Sequence, residues 1–280
     1  MEEKEIAFEI CVILQSYGFK AVYAGGCVRD SLSLMSYNDI DIATSASSKN
    51  VMKILSQNDY FVKEVGESFS VVLAKKDSHE FEIASFRKDI DCDGRHPKSI
   101  EFATIEEDAQ RRDFTINAVF YDPIMKEHID FVDGIKDIEN KTLRFVGKLE
   151  ERCAEDYLRI LRFVRFWSKG YIPSEEDISK VDNLSENILK YVAPERIMKE
   201  LNEKVLPNKE IVINFFKNLE KMPKLFNVLF PELYALKGVE QNPEHHPEGD
   251  AFVHSMMVFE TLVSWNENPL CILAGLFHDL

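Results

Sequence analysis

Apolar residues recur at Ile6, Ile10, Ile13, Leu14 and Tyr17, the spacing of one helix face, and Gly18 stands where a helix C-terminal glycine is expected. The pattern predicts a helix over residues 2–17. A short apolar run, Ala21 to Ala24, then leads into Gly25-Gly26 and a helical stretch beginning near Cys27, giving the order strand, glycine turn, helix. Residues 38–43 read as the next strand, Ser48 can cap a helix running to Gln57, and residues 61–65, 71–75 and 80–86 resemble strands. From about residue 150 the β-branched alternation fades. Long helical patterns follow, punctuated by Pro173, Pro194, Pro207, Pro223 and Pro231. The change places a boundary near residues 140–150, although residues 141–147 do not have the composition of a flexible linker, so the halves are expected to pack together. No repeat of solenoid length interrupts the chain.

Composition narrows this picture. The chain has 280 residues, 45% hydrophobic and 30% charged, which is enough apolar material for one or two cores and too much for wholesale disorder. A net charge of −15 argues against a surface that holds nucleic acid mainly by counterion release, so any such contact must be local. Residues 141–170 are the exception. Lys/Arg at 141, 144, 148, 152, 159, 162, 165 and 169 face only Glu150, Glu151, Glu155 and Asp156, a local net of +4. This is the expected RNA-facing strip, with a solvated helix face as the plainer reading of charge alone. There is no apolar run of membrane-spanning length and no secretory signal at the polar start, which predicts a cytoplasmic protein without a membrane partner. Cysteines at 11, 27, 92, 153 and 271 form no C-x-x-C pair, so reduced thiols are expected.

The first chemical candidate is Asp39-Ile40-Asp41-Ile42, where a strand's period of two puts both carboxylates on one face and both isoleucines on the other. Two carboxylates on a rigid strand suit a hard divalent cation such as Mg²⁺ held against a triphosphate. Taken alone the motif is weak, because Asp89, Asp91 and Asp93 repeat the same spacing. The preceding Gly25-Gly26-Cys27-Val28-Arg29-Asp30 strengthens it. Paired glycines let backbone approach phosphates, the following helix offers N–H groups, and Arg29 adds charge, whereas by itself the segment reads as an ordinary turn with a surface Arg–Asp pair.

Together these segments resemble the first motif of the class II tRNA nucleotidyltransferases and bacterial poly(A) polymerases. The resemblance continues through Arg95-His96-Pro97, through Glu106-Glu107-Asp108 and through Arg111-Arg112-Asp113-Phe114-Thr115-Ile116-Asn117-Ala118, which is similar to the second motif. It runs on through Leu143-Arg144-Phe145-Val146-Gly147 and the segment from Glu155-Asp156-Tyr157 to Phe166, similar to the nucleotide-selecting region, and through Glu195-Arg196-Ile197 with Glu200. Ser31-Leu32-Ser33-Leu34-Met35 lacks the Leu-Gly usual after the first motif. Net acidity departs from the poly(A) polymerases' basic extension and favours the tRNA branch.

The resemblance implies an α+β fold: a polymerase-β-like nucleotidyltransferase head over residues 1–140, followed by an all-helical neck and body over 141–240. It implies template-independent addition of CCA to tRNA 3′ ends from CTP and ATP. Asp39 and Asp41 would hold Mg²⁺, Gly26 and Arg29 would bind triphosphate, and Arg112, Arg162 and Arg165 would face the nucleotide. CC-addition, A-addition, poly(A) synthesis and a non-catalytic tRNA-binding module are the alternatives, and the stretch around residues 89–97, read as a flexible loop, is where they could diverge.

Base choice also has a physical case. Asp156 and Arg159, three apart on a predicted helix, share a face and can present one acceptor beside one donor. Cytosine and adenine offer an amino donor beside a ring-nitrogen acceptor, while uracil and guanine reverse that order. An exposed i, i+3 salt bridge is the plainer alternative. Asp113 has two readings, ribose contact or stapling of its loop, and Glu82 is a candidate third carboxylate or a surface glutamate. Finally, His245, His246, His254 and His278-Asp279 resemble the opening of an HD phosphohydrolase domain over residues 241–280. The distant final Asp of such a site is missing and the apolar stretch 270–280 ends abruptly, so this region is expected to be a truncated start without hydrolase activity.

Overall fold

The computed structural model describes residues 2–37, 39–65, 70–92, 94, 97–265 and 267–280, and the chain divides into two units, Met1–Glu155 and Asp156–Leu280. In the first unit α1 (Glu3–Ser16) buries Ile6, Ala7, Ile10, Cys11 and Leu14. This is the helical stripe read from the sequence, except that Ile13 is only half-buried and Tyr17 caps the helix and is 54% exposed. Then come β1 (Ala21–Ala24), α2 (Gly26–Leu32), β2 (Asp41–Thr44), α3 (Ser48–Ser56), β3 (Phe61–Val65), β4 (Val71–Lys76) and β5 (His79–Ser85). The second expected strand therefore starts later than predicted. Asp39 and Ile40 precede it, and Asn38 lies outside the described residues. The cap of α3 also moves by one: Ser47, not Ser48, accepts the backbone N–H of Asn50 at 3.3 Å, while Ser48 opens the helix and is buried.

β6 (Arg87–Cys92) and β7 (Pro97–Phe102) pair antiparallel from Arg87↔Phe102 to Cys92↔Pro97. The segment expected as a flexible loop is thus a ribbon. Its polar sequence has little apolar alternation to reveal strands, and Asp93, Arg95 and His96 lie outside the described residues. α4 (Ile105–Gln110), β8 (Phe120–Asp122), β9 (Glu127–Ile129), α5 (Gly134–Glu139) and α6 (Leu149–Glu155) complete the unit.

Seven strands form one sheet in the order β3-β4-β5-β2-β1-β8-β9. Neighbours are antiparallel except β2 and β5, which run parallel with Ile42 beside Ile83. Ala24 lies opposite Asp41, so Asp41 shares a face with Val22, Ala24 and Ala43. Those three residues belong to a core cluster with Phe86, Ala109, Ala118, Phe120 and Val146. Asp41 thus emerges at the rim of a packed face, which holds its backbone rigid.

The second unit is helical throughout its described elements: α7 (Leu158–Ser168), α8 (Glu175–Asn183), α9 (Glu186–Tyr191), α10 (Pro194–Glu200), a π-helical turn (Leu201–Val205), α11 (Lys209–Glu220), α12 (Pro223–Leu229), α13 (Pro231–Ala235), α14 (Ala251–Ser264) and α15 (Pro269–Leu276). Pro194, Pro223 and Pro231 each occupy a first helical position, where a missing N–H costs no intrahelical bond. Phe216 packs edge-on against Phe259 at 5.0 Å and tilted against Phe230 at 5.2 Å, and Phe226 meets Phe252 at 5.7 Å, which ties α11, α12 and α14 into one aromatic core. One expectation is corrected here. Asp156 is not on a helix but in the break between α6 and α7, because α7 begins at Leu158.

A close approach in the first unit gives a direct test of the packing. A Cβ on Gly134 would lie 2.3 Å from the Thr115 carbonyl oxygen and 2.6 Å from Val119 Cγ2. Backbone on one side leaves no rotamer to yield. Gly134→Ala is expected to cost about 1–3 kcal/mol, the usual penalty of overpacking, read as a lower urea midpoint with unchanged slope. An unchanged midpoint would show that α5 slides away freely.

Candidate active site

β1 runs directly into the turn at Gly25, whose φ of 72° and ψ of −129° lie in a region that side chains disfavour. A Cβ there would come within 3.6 Å of Asp41 Oδ2 and 3.7 Å of Arg112 Nη1. Glycine therefore keeps clear a small space bordered by a carboxylate and a guanidinium. Asp39 and Asp41 are both exposed, whereas Ile40 and Ile42 are 4% and 1% exposed, as the alternation requires. Register adds a third acidic group. Ile42 pairs with Ile83, so Glu82 precedes it on β5 as Asp41 does on β2, and Glu82 is likewise exposed.

The cations are held by a buried network. Asp108 is 1% exposed, and Arg111 Nη2 donates to its Oδ1 at 2.7 Å while Arg112 Nη2 donates to its Oδ2 at 3.0 Å. Burial alone would raise the carboxyl's pKa, but the two guanidinium charges and their hydrogen bonds outweigh it and hold Asp108 below the usual carboxylate range. Arg112 Nη1 also donates to the Asn117 carbonyl at 3.0 Å, and its guanidinium lies 4.7 Å over the Phe120 ring. Asn117 then links two more residues: its Oδ1 accepts from Arg29 Nη1 at 2.6 Å and its Nδ2 donates to Asp113 Oδ1 at 3.0 Å.

Arg29 is only 5% exposed, is tied also to Asp30 at 2.8 Å, and places Nη2 3.6 Å from where a Cβ of Gly26 would be. Gly26, Arg29 and Arg112 are thus gathered around the turn. Asp113 also accepts the Phe114 N–H at 2.8 Å, so its loop-stapling duty is visible. Burial, with Asp41 nearby, pushes the Cys27 thiol up to about 11, so Cys27 stays protonated and offers no thiolate nucleophile.

In the second unit Asp156 is half-buried and Arg159 is 9% exposed, one turn apart at the start of α7. Arg162 is half-buried with its guanidinium 5.8 Å from the Phe166 ring centre. Arg165 is 7% exposed, pairs with Glu200 at 2.5 Å and stacks on Phe166 at 4.4 Å. The basic strip spans both units and much of it is internally paired, through Arg144 with Asp137, Lys148 with Glu151 and Arg152 with Glu155.

Sequence reasoning missed Asp108 as the organiser, although its i, i+3 and i, i+4 spacing to Arg111 and Arg112 was available. It also missed Arg196, which binds Asp156 with both terminal nitrogens, at 3.2 and 2.8 Å. No local signal joins residues forty apart. The histidine region folds so that ligand atoms of His246, Glu248 and His254 lie within 4.8 Å of one another, as do those of His254, His278 and Asp279.

A mixed sheet whose paired aspartates adjoin a glycine turn, followed by a helical unit, defines a nucleotidyltransferase head with a helical body. The Poly A polymerase head domain family matches residues 21–144. Over 199 residues the chain is 37% identical to the CCA-adding enzyme of Oceanobacillus iheyensis, covering 70% of this chain and 48% of the relative. It is 36% identical to the human mitochondrial CCA tRNA nucleotidyltransferase 1 over 192 residues, covering 66% and 43%. The Bacillus stearothermophilus CCA-adding enzyme, solved in complex with CTP, superimposes with a TM-score of 0.66 at 26% identity, covering 95% of this chain and 57% of that one. The chain belongs to the family of tRNA nucleotidyltransferases and poly(A) polymerases, whose members are metal-dependent nucleotidyltransferases. It spans about half the length of the curated relatives it matches. Among the described residues no helix is long and apolar enough to cross a membrane.

The network predicts its own pH dependence. Because the Asp108 pKa is depressed in the fold, its contribution is present above the unfolded carboxylate pKa and is lost as pH falls through the folded value. Asp108→Asn is expected to cost roughly 2 kcal/mol at neutral pH, modest for a buried charge because both arginines remain partly exposed. The gap from wild type should close as pH falls through the folded pKa. A gap independent of pH in acid urea titrations would contradict the charge assignment.

Proposed function

We propose that this chain adds C, C and A in turn to the 3′ end of immature tRNA, taking CTP and ATP as substrates and needing no nucleic-acid template. The observation that carries the reading is the Asp41–Gly25–Arg112 constellation: an acidic pair beside a turn kept open by glycine and ringed by buried-network arginines. The donor set suits Mg²⁺, since Asp39 and Asp41 offer hard carboxylate oxygens and the Gly25 turn, whose positive φ requires glycine, brings its backbone close to Asp41 without placing a side chain there. Bound there, Mg²⁺ would supply Lewis-acid stabilisation of the charge that develops on the α-phosphate and the departing pyrophosphate.

The protein's own residues do the rest. Gly25 and Gly26 admit phosphate oxygens close to backbone, and Arg29 and Arg112 bring positive charge to the triphosphate without free rotation, because Asn117 and Asp108 hold them. The tRNA 3′-hydroxyl oxygen attacks the α-phosphorus and gives up its proton to solvent, the bond from the α-phosphorus to the oxygen bridging to the β-phosphorus breaks, and pyrophosphate leaves with that oxygen. Asp156 and Arg159 choose the base by an acceptor and a donor that match cytosine and adenine.

The test is Mg²⁺-dependent extension of a tRNA lacking its 3′ CCA, resolved by single nucleotides. Growth by three residues that then stops is expected with CTP plus ATP; CC alone, A alone or a long ladder would overturn the proposal. Asp39→Ala or Asp41→Ala should lower incorporation on the order of 10³-fold, the equivalent of several kcal/mol of metal-borne stabilisation. Asp156→Ala with Arg159→Ala should instead relax base choice by about 10- to 100-fold while keeping metal binding. Unchanged discrimination between CTP and UTP would refute the assigned selectors.

A further inference from the structure

Asp156 lies outside any helix, and the local backbone holds only one of its carboxylate oxygens. A neighbouring helix holds both. Arg196 Nη1 donates to Asp156 Oδ1 at 3.2 Å and Nη2 donates to Oδ2 at 2.8 Å, a two-pronged pair in which both planes are locked. The Leu158 N–H donates to Oδ1 as well, at 3.1 Å. A carboxylate oxygen accepts about two hydrogen bonds in its plane. Oδ1 is therefore filled, and Oδ2 has one acceptor direction remaining.

The clamp is itself anchored. Arg196 and Glu200 are four apart on α10 and so share a face. Glu200 pairs with Arg165 of α7 at 2.5 Å, and these two are 8% and 7% exposed. One short helix thus grips the segment 156–165 at both ends, by Arg on Asp and by Glu on Arg. Tyr157 and Tyr191 stack at 5.1 Å with planes 20° apart, which pins the residue next to Asp156 against the end of α9.

We propose that Arg196 is a positioning residue for base selection, which leaves Asp156 a single acceptor pointing one way and so suited to the one amino group that cytosine or adenine offers there. This rests on the reading of Asp156 as a base selector. Uracil would set a carbonyl oxygen against that fixed acceptor, and the clash penalises it only while the carboxylate cannot turn aside. Without Arg196 the side chain can rotate and the penalty fades. Lysine at this position would keep the charge but provide a point donor unable to hold both oxygens.

The experiment compares wild type, Arg196→Lys, Arg196→Met, Asp156→Ala and the Asp156→Ala/Arg196→Met double variant in the full chain. CTP and UTP affinities are measured by titration calorimetry with Mg²⁺, alongside kcat/KM for incorporation into tRNA lacking CCA, with melting curves to count the folded fraction. The CTP/UTP ratio should fall about tenfold or more in both single Arg196 variants, through weaker CTP and stronger UTP binding, and the double variant should be no less selective than Asp156→Ala. A merely structural role would lower stability, leave the ratio in place and add to the Asp156 effect. Should Arg196→Met fail to fold, Arg196→Lys carries the test. A ratio within twofold of wild type in the folded variants, with Asp156→Ala collapsing it, overturns the proposal. Wild type that adds nothing to tRNA yet prefers CTP would fail the functional reading while the binding ratio still decides Arg196; wild type binding both nucleotides equally would overturn both.

Discussion

Burying the Asp108 carboxylate on α4 commits two arginines to it. A carboxylate at 1% exposure is tolerable only when paired, and here Arg111 and Arg112 satisfy one oxygen each. Arg112, so placed, sits over the Phe120 ring and donates its remaining nitrogen to Asn117, which in turn orients Arg29. The placement of both arginines beside the Gly25 turn therefore depends on one buried charge. The arginines near the turn are preorganised, their charges met by groups of the fold itself.

The second unit repeats the logic at smaller scale. Asp156 in its helix break and Arg165 within α7 are each met by an opposite charge from α10, so a segment rich in cations stays ordered in an acidic protein. Much of the basic strip over 141–170, despite its net charge of +4, is paired within the protein itself.

What could be read from the residues was local. The strand, glycine turn and helix at 21–32 and the alternation that exposes Asp39 and Asp41 follow from short-range periodicity and from the φ that Gly25 alone accepts without strain. What escaped was either non-local or weakly patterned. β6 and β7 pair through a polar ribbon whose residues do not alternate, and β8 and β9 are three residues each, too short to signal. The helix expected through Asp156 breaks after Glu155, where the chain also passes from one unit to the other. Arg196 and Glu200 stood in the sequence as parts of a resembling motif, but their partners are set by tertiary packing of α10 on α7.

The central claim is that side chains, not a nucleic-acid strand, specify the added bases. It is tested most directly by varying the 5′ strand and discriminator base of tRNA minihelices that lack CCA, and sequencing what the chain appends from an equimolar mixture of all four nucleotides. The account predicts C, then C, then A on every substrate. An appended base that changes with the opposing strand would contradict it.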